Sequence, residues 1–130
     1  MKNDEIYLRY IEESIEKIEC YINNTLDDKG REIFRSDQMI QDAILRRMET
    51  LSDATSKLSP ELKSRHPLIR WRDITDFRNI LAHAYMEIDI DIIWDIITKS
   101  LPMLRASVQV ERKTMSDSTD DREHPPSRRT

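Results

Sequence analysis

The sequence predicts an all-α protein, an antiparallel bundle of about four to five helices, because apolar residues recur at the steps of three and four that mark helix faces. Only one glycine occurs among 130 residues, and 35% of the residues are charged, which suits a helical surface. No β-branched segment alternates with polar residues as a half-buried strand does. The chain is long enough to bury one core, so one helical domain is expected.

The first helix is predicted over residues 4–23. Its apolar face has steps of four, three and four, and consists of Ile11, Ile15, Ile18 and Ile22. Asparagine, aspartate and glycine are frequent over residues 23–30, and such residues favour turns, so a loop is expected there.

The second helix is predicted over residues 37–58, with Ser36 or Asp37 as its N-cap. Its stripe consists of Ile40, Ile44, Met48, Leu51 and Leu58. A short third helix begins after Ser59-Pro60, because serine caps a helix and proline is tolerated in its first turn. His66 precedes a proline, which disfavours the α conformation, and it is interpreted as a turn residue.

A fourth helix is predicted from Trp71 or Asp73 to Ala84, and a fifth begins at Asp89 or Asp91. The stripe of the fifth consists of Ile93, Ile97, Leu101, Leu104 and Val108, broadened by Trp94 and Ile96. From residue 111 the sequence is polar, which is typical of disorder. Residues 1–110 are therefore predicted to be the helical domain and residues 111–130 a disordered tail.

Charge and composition limit the function classes. The formal net charge is −4, whereas general nucleic-acid binders are usually basic. Four arginines at positions 65, 70, 72 and 78 could form a local phosphate-binding cluster. Cys20 is the only cysteine, so no internal disulfide is possible. No apolar stretch is long enough to span a membrane and no signal peptide is evident, so a cytoplasmic protein is expected.

Residues 72–85 contain the strongest candidate site. On a helix, Arg78 and Tyr85 would lie nearly on one face, and Asn79 and His83 would be neighbours on an adjoining face. Arg78 and His83 would be about 140° apart, so one phosphate could contact both only in a cleft, for example between two subunits. Taken singly, each residue also has an ordinary role, such as a surface ion pair or a histidine at a helix C-terminus.

The run Phe77-Arg78-Asn79-Ile80-Leu81-Ala82-His83-Ala84-Tyr85 resembles the R-x4-H-x-Y signature of HepT-type toxins, helical ribonucleases of the HEPN superfamily. His66-Pro67 and Trp71 upstream, and Ile88-Asp89 and Trp94 downstream, resemble the family's flanking segments. The likeness extends over about residues 7–104. It departs at Leu51-Ser52-Asp53, where many relatives have Ile-Gly-Glu. Ser52 is small enough to preserve the helix packing expected there.

The resemblance implies a HEPN-like, dimer-forming bundle that is the toxin of a type VII toxin–antitoxin system. It implies metal-independent cleavage of RNA by the ribose 2′-hydroxyl, with Arg78 and His83 as catalytic residues and no cofactor. Asn79 and Tyr85 would support substrate binding. It further implies a homodimer and a minimal nucleotidyltransferase antitoxin that inactivates the toxin by attaching AMP to Tyr85. No Cys, His or carboxylate cluster has metal-ligand spacing, which agrees with this mechanism.

A second hypothesis fits the same residues. The protein could be a non-catalytic dimeric helical module that binds nucleotide or accompanies a nucleotidyltransferase. Arg78 would then bind a phosphate, and His83 would be structural. Nucleotide binding without RNA cleavage would distinguish this module from the ribonuclease.

Overall fold

The computed structural model describes residues 2–22, 27–77, 79 and 90–123. These residues contain six helices and no strand, which confirms the predicted all-α class. The helices are α1 (Lys2–Tyr21), α2 (Asp28–Ser36), α3 (Gln38–Ser56), α4 (Pro60–Ser64), α5 (Trp71–Thr75) and α6 (Ile90–Glu123). None of these helices is long and apolar enough to cross a membrane.

Helix α1 is the centre of the bundle and packs against α3 and α6. Its predicted stripe, together with Leu8, is fully buried at 0% exposure. The five residues follow the helical repeat, so all of them reach the core from one face. Full burial of each such side chain contributes about 1.5–3 kcal/mol before entropic costs. The stripe identified from spacing is therefore the middle of the core.

The inner stripe of α6 closes the core from the other side. It consists of Ile93, Ile97, Leu101, Leu104 and Val108, none of them more than 1% exposed. The sequence predicted all five from their spacing, and the structure confirms each one. Pro102 lies within α6 on the exposed side of the helix.

Helix α2 was not predicted, because residues 27–30 were interpreted as part of a loop. Asp27 instead caps α2: its carboxylate accepts hydrogen bonds from the backbone N–H groups of Lys29 and Gly30. Capping by aspartate stabilises a helix start that would otherwise leave N–H groups unpaired. Phe34 is fully buried, and its ring lies 5.7 Å from that of Trp94. This contact docks α2 on α6.

The starts of α3 and α4 agree with the capping residues predicted from the sequence. Asp37 accepts hydrogen bonds from the N–H groups at the start of α3, while Ser36 is the last residue of α2. The Ser59 hydroxyl accepts from the Leu62 N–H. Asp4, only 4% exposed, accepts from both the backbone N–H and the hydroxyl of Ser59. The start of α1 thus holds the start of α4.

Helix α6 extends beyond the residue where a disordered tail was predicted to begin. It continues to Glu123, and Glu111 is 6% exposed. Arg112 of α6 pairs with Glu12 of α1. Two turns earlier on α6, Arg105 pairs with Glu19 of α1. The Arg112 pair therefore ties α6 to α1 just past residue 111, where the polar composition suggested that the disordered tail begins. Residues 124–130 of the predicted tail lie outside the described residues.

Candidate active site

The segment between α4 and α5 sets the start of the candidate site. Trp71 is the first residue of α5, and its indole N–H donates to the carbonyls of Lys63 and His66, each at 3.1 Å. The His66 carbonyl also accepts from the Ile69 backbone N–H at 3.2 Å. His66 therefore lies in a turn, as its position before a proline predicted. The turn and the first turn of α5 are joined through the tryptophan side chain.

Helix α5 is anchored by apolar residues rather than by a side-chain cap. Ile74 is 3% exposed and Phe77 is fully buried, whereas Arg70, at the N-cap position, makes no capping hydrogen bond. Asp73 lies in the first turn, where a negative charge is favourable. The burial of Ile74 and Phe77 determines which side of the segment faces the core and which side faces solvent.

The structure describes one of the four candidate site residues. Asn79 is exposed, and its backbone N–H donates to the Asp76 carbonyl at 2.8 Å. Arg78, His83 and Tyr85 lie outside the described residues. The proposed roles of these three side chains therefore stay predictions. Asn79 shows where the motif begins, just beyond the buried Phe77.

Asn79 lies at an open groove of about 920 Å³ between the α5 segment and α6. From the α5 side, the groove is lined by Leu68, Ile69, Arg70, Asp73, Ile74, Asp76 and Asn79. From α6, it is lined by Ile92, Asp95, Ile96, Lys99, Ser100 and Met103. The groove has the size of a small-molecule site, and most such sites are lined by apolar groups with a few polar ones. It joins Asn79, the first described residue of the motif, to α6.

The charged groups of this groove are mostly paired with one another or with neighbours. Arg70 Nε is 2.8 Å from Asp73 Oδ2, and Asp95 Oδ1 is 4.0 Å from Arg31 Nη2. Lys99 is exposed and makes no ion pair among the described residues. The described lining therefore offers an incoming phosphate one uncommitted cation. Arg78 of the motif is expected to supply a further positive charge for an RNA phosphate.

The four-arginine cluster predicted from the sequence is only partly available to phosphates. Arg70 is paired with Asp73, and Arg65 Nη2 is 2.7 Å from Glu111 Oε1. Arg72 is exposed, and Arg78 lies outside the described residues. Arg46, on α3, has a side chain that is 72% exposed and paired with Glu49, as expected for a solvated surface arginine.

Ser52, the small residue that departs from the family pattern, is 1% exposed within α3. Its burial shows that this position faces the interior of the bundle, while the expectation that Ser52 preserves close helix packing stays a prediction. Asp53 beside it is half-buried.

A charged cluster that sequence reasoning missed lies behind the turn before α5. Glu111 Oε1 accepts from Arg65, and its Oε2 lies 2.7 Å from His66 Nε2. The hydrogen bond from Arg65 holds the pKa of Glu111 below its usual range, although burial opposes that shift. The same contact raises the pKa of Arg65. The one local signal was spacing: Glu111 follows Val108 by three residues and so continues the inner stripe of α6.

Among the described residues, no group of three or more His, Cys, Asp or Glu side chains is arranged to hold a metal ion. The absence of a metal requirement stays a prediction, because His83 lies outside that part of the chain. The chemistry available at the described end of the site is hydrogen bonding by the Asn79 amide and charge from Lys99.

Known proteins that are named as ribonucleases are similar to most of this chain. A family model described as "Ribonuclease HepT-like" matches residues 11–111. "Probable ribonuclease HepT" of Thermococcus cleftensis is 31% identical over 107 residues, which cover 82% of this chain and 94% of that protein. "Putative RNase" of Caldanaerobacter subterraneus subsp. tengcongensis is 28% identical over 109 residues, covering 84% of this chain and 94% of that protein.

One relative is a longer protein. "Gamma-glutamylcyclotransferase and putative RNase" of Methanocaldococcus jannaschii is 33% identical over 107 residues, which cover 82% of this chain but 46% of that protein. The chain therefore spans less than half the length of this relative. No solved structure is significantly similar to the chain. The family match at residues 11–111 includes the whole segment from Arg78 to Tyr85.

Proposed function

Because the chain belongs to the HepT-like ribonuclease family, we propose that it is a metal-independent endoribonuclease whose chemistry is carried by Arg78 and His83. The observation that carries this proposal is the complete Arg78-x4-His83-x-Tyr85 motif inside the matched range. Its first described residue, Asn79, opens on the groove between α5 and α6. An exposed amide at a groove is suitably placed to contact a substrate.

The reaction needs only groups that this motif supplies. The ribose 2′-hydroxyl oxygen attacks the adjacent phosphorus, and the bond to the 5′ oxygen of the next nucleotide breaks. The products are a 2′,3′-cyclic phosphate and a 5′-hydroxyl. His83 has the side chain suited to moving a proton near neutral pH. Arg78 provides permanent, planar donors for the charge that develops on the phosphate, and Asn79 adds a hydrogen-bond donor.

We propose a homodimer because α6 carries a second apolar stripe that faces outward. This outer stripe consists of Ile92, Ile96, Met103 and Val110, separated by four, seven and seven residues. Ile92, Met103 and Val110 are 52%, 44% and 56% exposed. A heptad spacing of partly exposed apolar residues is the pattern of a helix that packs against another helix.

The position of the outer stripe connects a dimer to the site. Ile92, Ile96 and Met103 also line the groove that contains Asn79, and Leu68 across the groove is 81% exposed. A twofold interface uses the same patch on both copies, so pairing along α6 would bring the two grooves together. Two copies of the motif would then border one cleft. One phosphate in that cleft could contact Arg78 and His83 even though the two residues point in different directions on one helix.

The biological role proposed is that of a toxin restrained by a minimal nucleotidyltransferase antitoxin, as in a type VII system. Transfer of AMP to the Tyr85 hydroxyl would place an anionic nucleotide two residues from His83. That nucleotide would occupy the phosphate site and repel RNA. The net charge of −4 favours regulation by a protein partner over general attraction to nucleic acid.

The test is cleavage of total cellular RNA in the presence of a chelator by purified protein that mass spectrometry shows to be free of AMP on Tyr85. Variants Arg78→Ala and His83→Ala are expected to lose activity by about a hundredfold or more, because each removes a group acting in the transition state. Arg46→Ala removes the same charge from an exposed, ion-paired arginine on α3 and is the matched control, expected to cleave at the parental rate.

Cleavage that needs Arg78 and His83 but not Arg46 supports the proposal. Cleavage that survives His83→Ala contradicts the assigned site. A folded, unmodified dimer that binds nucleotide and leaves RNA intact favours the second hypothesis, the non-catalytic helical module.

A further inference from the structure

Glu111 is a carboxylate that the proposed chemistry does not use. Its side chain is 8% exposed, and both oxygens are engaged on the turn before α5. Arg65 donates from Nη2 to Oε1 at 2.7 Å and from Nε to Oε2 at 3.1 Å, and His66 Nε2 lies 2.7 Å from Oε2. Placing a charge in a buried position is unfavourable unless its partners are well aligned. The arrangement therefore defines the position of the turn closely.

His66 connects this carboxylate to the start of α5. Its ring contacts Glu111 of α6, while its backbone carbonyl accepts from the indole of Trp71 and from the Ile69 N–H. Trp71 is the first residue of α5, and Ile69 lines the groove. The hydrogen bonds thus run without interruption from the inner side of α6 to the first turn of the helix segment that leads into the motif.

We infer that Glu111, His66 and Trp71 are positioning residues that set the α5 segment, and with it the beginning of the motif, relative to α6. The groove lies between these two elements, so their relative position determines its width at Asn79. This inference rests on the proposed ribonuclease function for its catalytic consequence. Small displacements of positioned groups reduce rate more than they reduce binding.

Two other ion pairs of α6 supply the contrast that separates positioning from general stabilisation. Arg112 pairs with Glu12 and Arg105 with Glu19, both on α1. The side chains of Glu12 and Glu19 are 17% and 15% exposed, so they are mostly buried, as Glu111 is. They attach α6 to the core helix, and in the described part of the chain their side-chain hydrogen bonds are with α6 and not with the turn before α5.

The experiment compares Glu111→Gln with Glu12→Gln, which removes the same charge from an ion pair that α1 makes with α6. For each variant, kcat and KM are measured on RNA, and amide hydrogen exchange is measured over residues 69–77. Glu111→Gln is expected to lower kcat about tenfold at nearly constant KM, and to weaken protection of residues 69–77. Glu12→Gln is expected to leave both quantities near the parental values.

Two further variants test the middle of the connection. His66→Gln can keep an N–H donor near the position of Nε2, so kcat is expected to stay within about threefold of the parent, whereas His66→Ala should resemble Glu111→Gln. Trp71→Phe keeps the ring but removes the indole donor, and it should weaken protection of residues 69–77. If His66→Gln keeps activity and His66→Ala loses it, the hydrogen bond matters and not only the space that the side chain fills. The His66 variants decide the inference if Glu111→Gln does not fold.

The hydrogen-exchange measurement does not depend on RNA cleavage, so it tests this inference separately from the proposed function. If the parent protein cleaves no RNA, the ribonuclease proposal fails, yet the comparison of protection at residues 69–77 still decides whether the three residues position α5. Equal loss of protection in Glu111→Gln and Glu12→Gln, or an unchanged kcat in Glu111→Gln, His66→Ala and Trp71→Phe, overturns the inference.

Discussion

Helix α6 presents two apolar stripes that begin at adjacent residues and differ in how far they are exposed to solvent. The inner stripe is at most 1% exposed and packs into the core, whereas the outer stripe members Ile92, Met103 and Val110 are 44–56% exposed. Met103 and Leu104 are neighbours in sequence, 100° apart on the helix, yet Leu104 is 0% exposed. The same helix therefore presents one surface to its own fold and another to solvent.

The spacing of apolar residues on α6 carries two kinds of information, one about folding and one about association. An inner stripe specifies how the chain folds on itself, because burial of its side chains supplies folding free energy. The exposed part of the outer stripe gains further free energy only against a second surface, although Ile96 of this stripe also packs against the core. Mutations in the two stripes should therefore differ in which equilibrium they change.

The largest expected effect is on stability from the inner stripe. Leu104→Ala is predicted to lower the free energy of unfolding by about 2–5 kcal/mol, because it leaves a cavity in a packed core. Met39→Ala is a matched control, since Met39 is an apolar helix residue that is 79% exposed and belongs to neither stripe. Its effect should stay within about 0.5 kcal/mol. Urea unfolding at one protein concentration measures both, and similar midpoints for the two variants would contradict the assignment of Leu104 to the core.

The next effect concerns association through the outer stripe. Met103→Glu is predicted to convert the proposed dimer to a monomer while the helical circular dichroism signal is retained, because a charge would be buried at the centre of the proposed interface. Ile6→Glu is a suitable control, because Ile6 is 61% exposed on α1, outside the stripe. Sedimentation velocity over a range of concentrations distinguishes the two. A Met103→Glu protein that sediments as the parental dimer would place the interface elsewhere.

Local patterns were sufficient for the long helices. The apolar faces of α1 and α6 could be predicted because each helix repeats its buried residues every three or four positions. The same reasoning failed at α2, because Asp27 and Gly30 were interpreted as loop residues. Asp27 is instead the N-cap, and Gly30 is a buried helix residue. The identity of a helix-breaking residue does not indicate whether it ends one helix or starts the next.

The candidate site depends on pairings that no local pattern contains. Glu111 is 45 and 46 residues from its partners His66 and Arg65, and the groove also joins residues that are far apart in the chain, such as Leu68 and Met103. Polar composition alone predicted that residue 111 begins a disordered tail, whereas the non-local ion pairs hold it in a helix. The roles of Arg78, His83 and Tyr85 rest on the motif and on family membership, and they stay predictions.

The smallest expected effect is the pH dependence of stability that comes from Glu111, the charged residue that continues the inner stripe. The hydrogen bond from Arg65 lowers the pKa of Glu111 in the folded protein. A carboxyl group whose pKa is lower in the folded state stabilises the protein above its unfolded pKa, and this contribution disappears as the pH falls through the folded pKa. The window therefore lies on the acid side of the ordinary glutamate range, below about pH 4.5.

The measurement is the urea midpoint of the parent and of Glu111→Gln from pH 7 to pH 3. At pH 7 the parent should be the more stable by on the order of 1 kcal/mol, a value reduced because Arg65 is half exposed and partly screened by solvent. The difference should narrow through the acid window, since the parent loses its charged contact and the glutamine variant has none to lose. A constant difference between the parent and Glu111→Gln down to pH 3 would show that the Glu111 contact contributes through shape alone, and the inner stripe would then need no charge at this position.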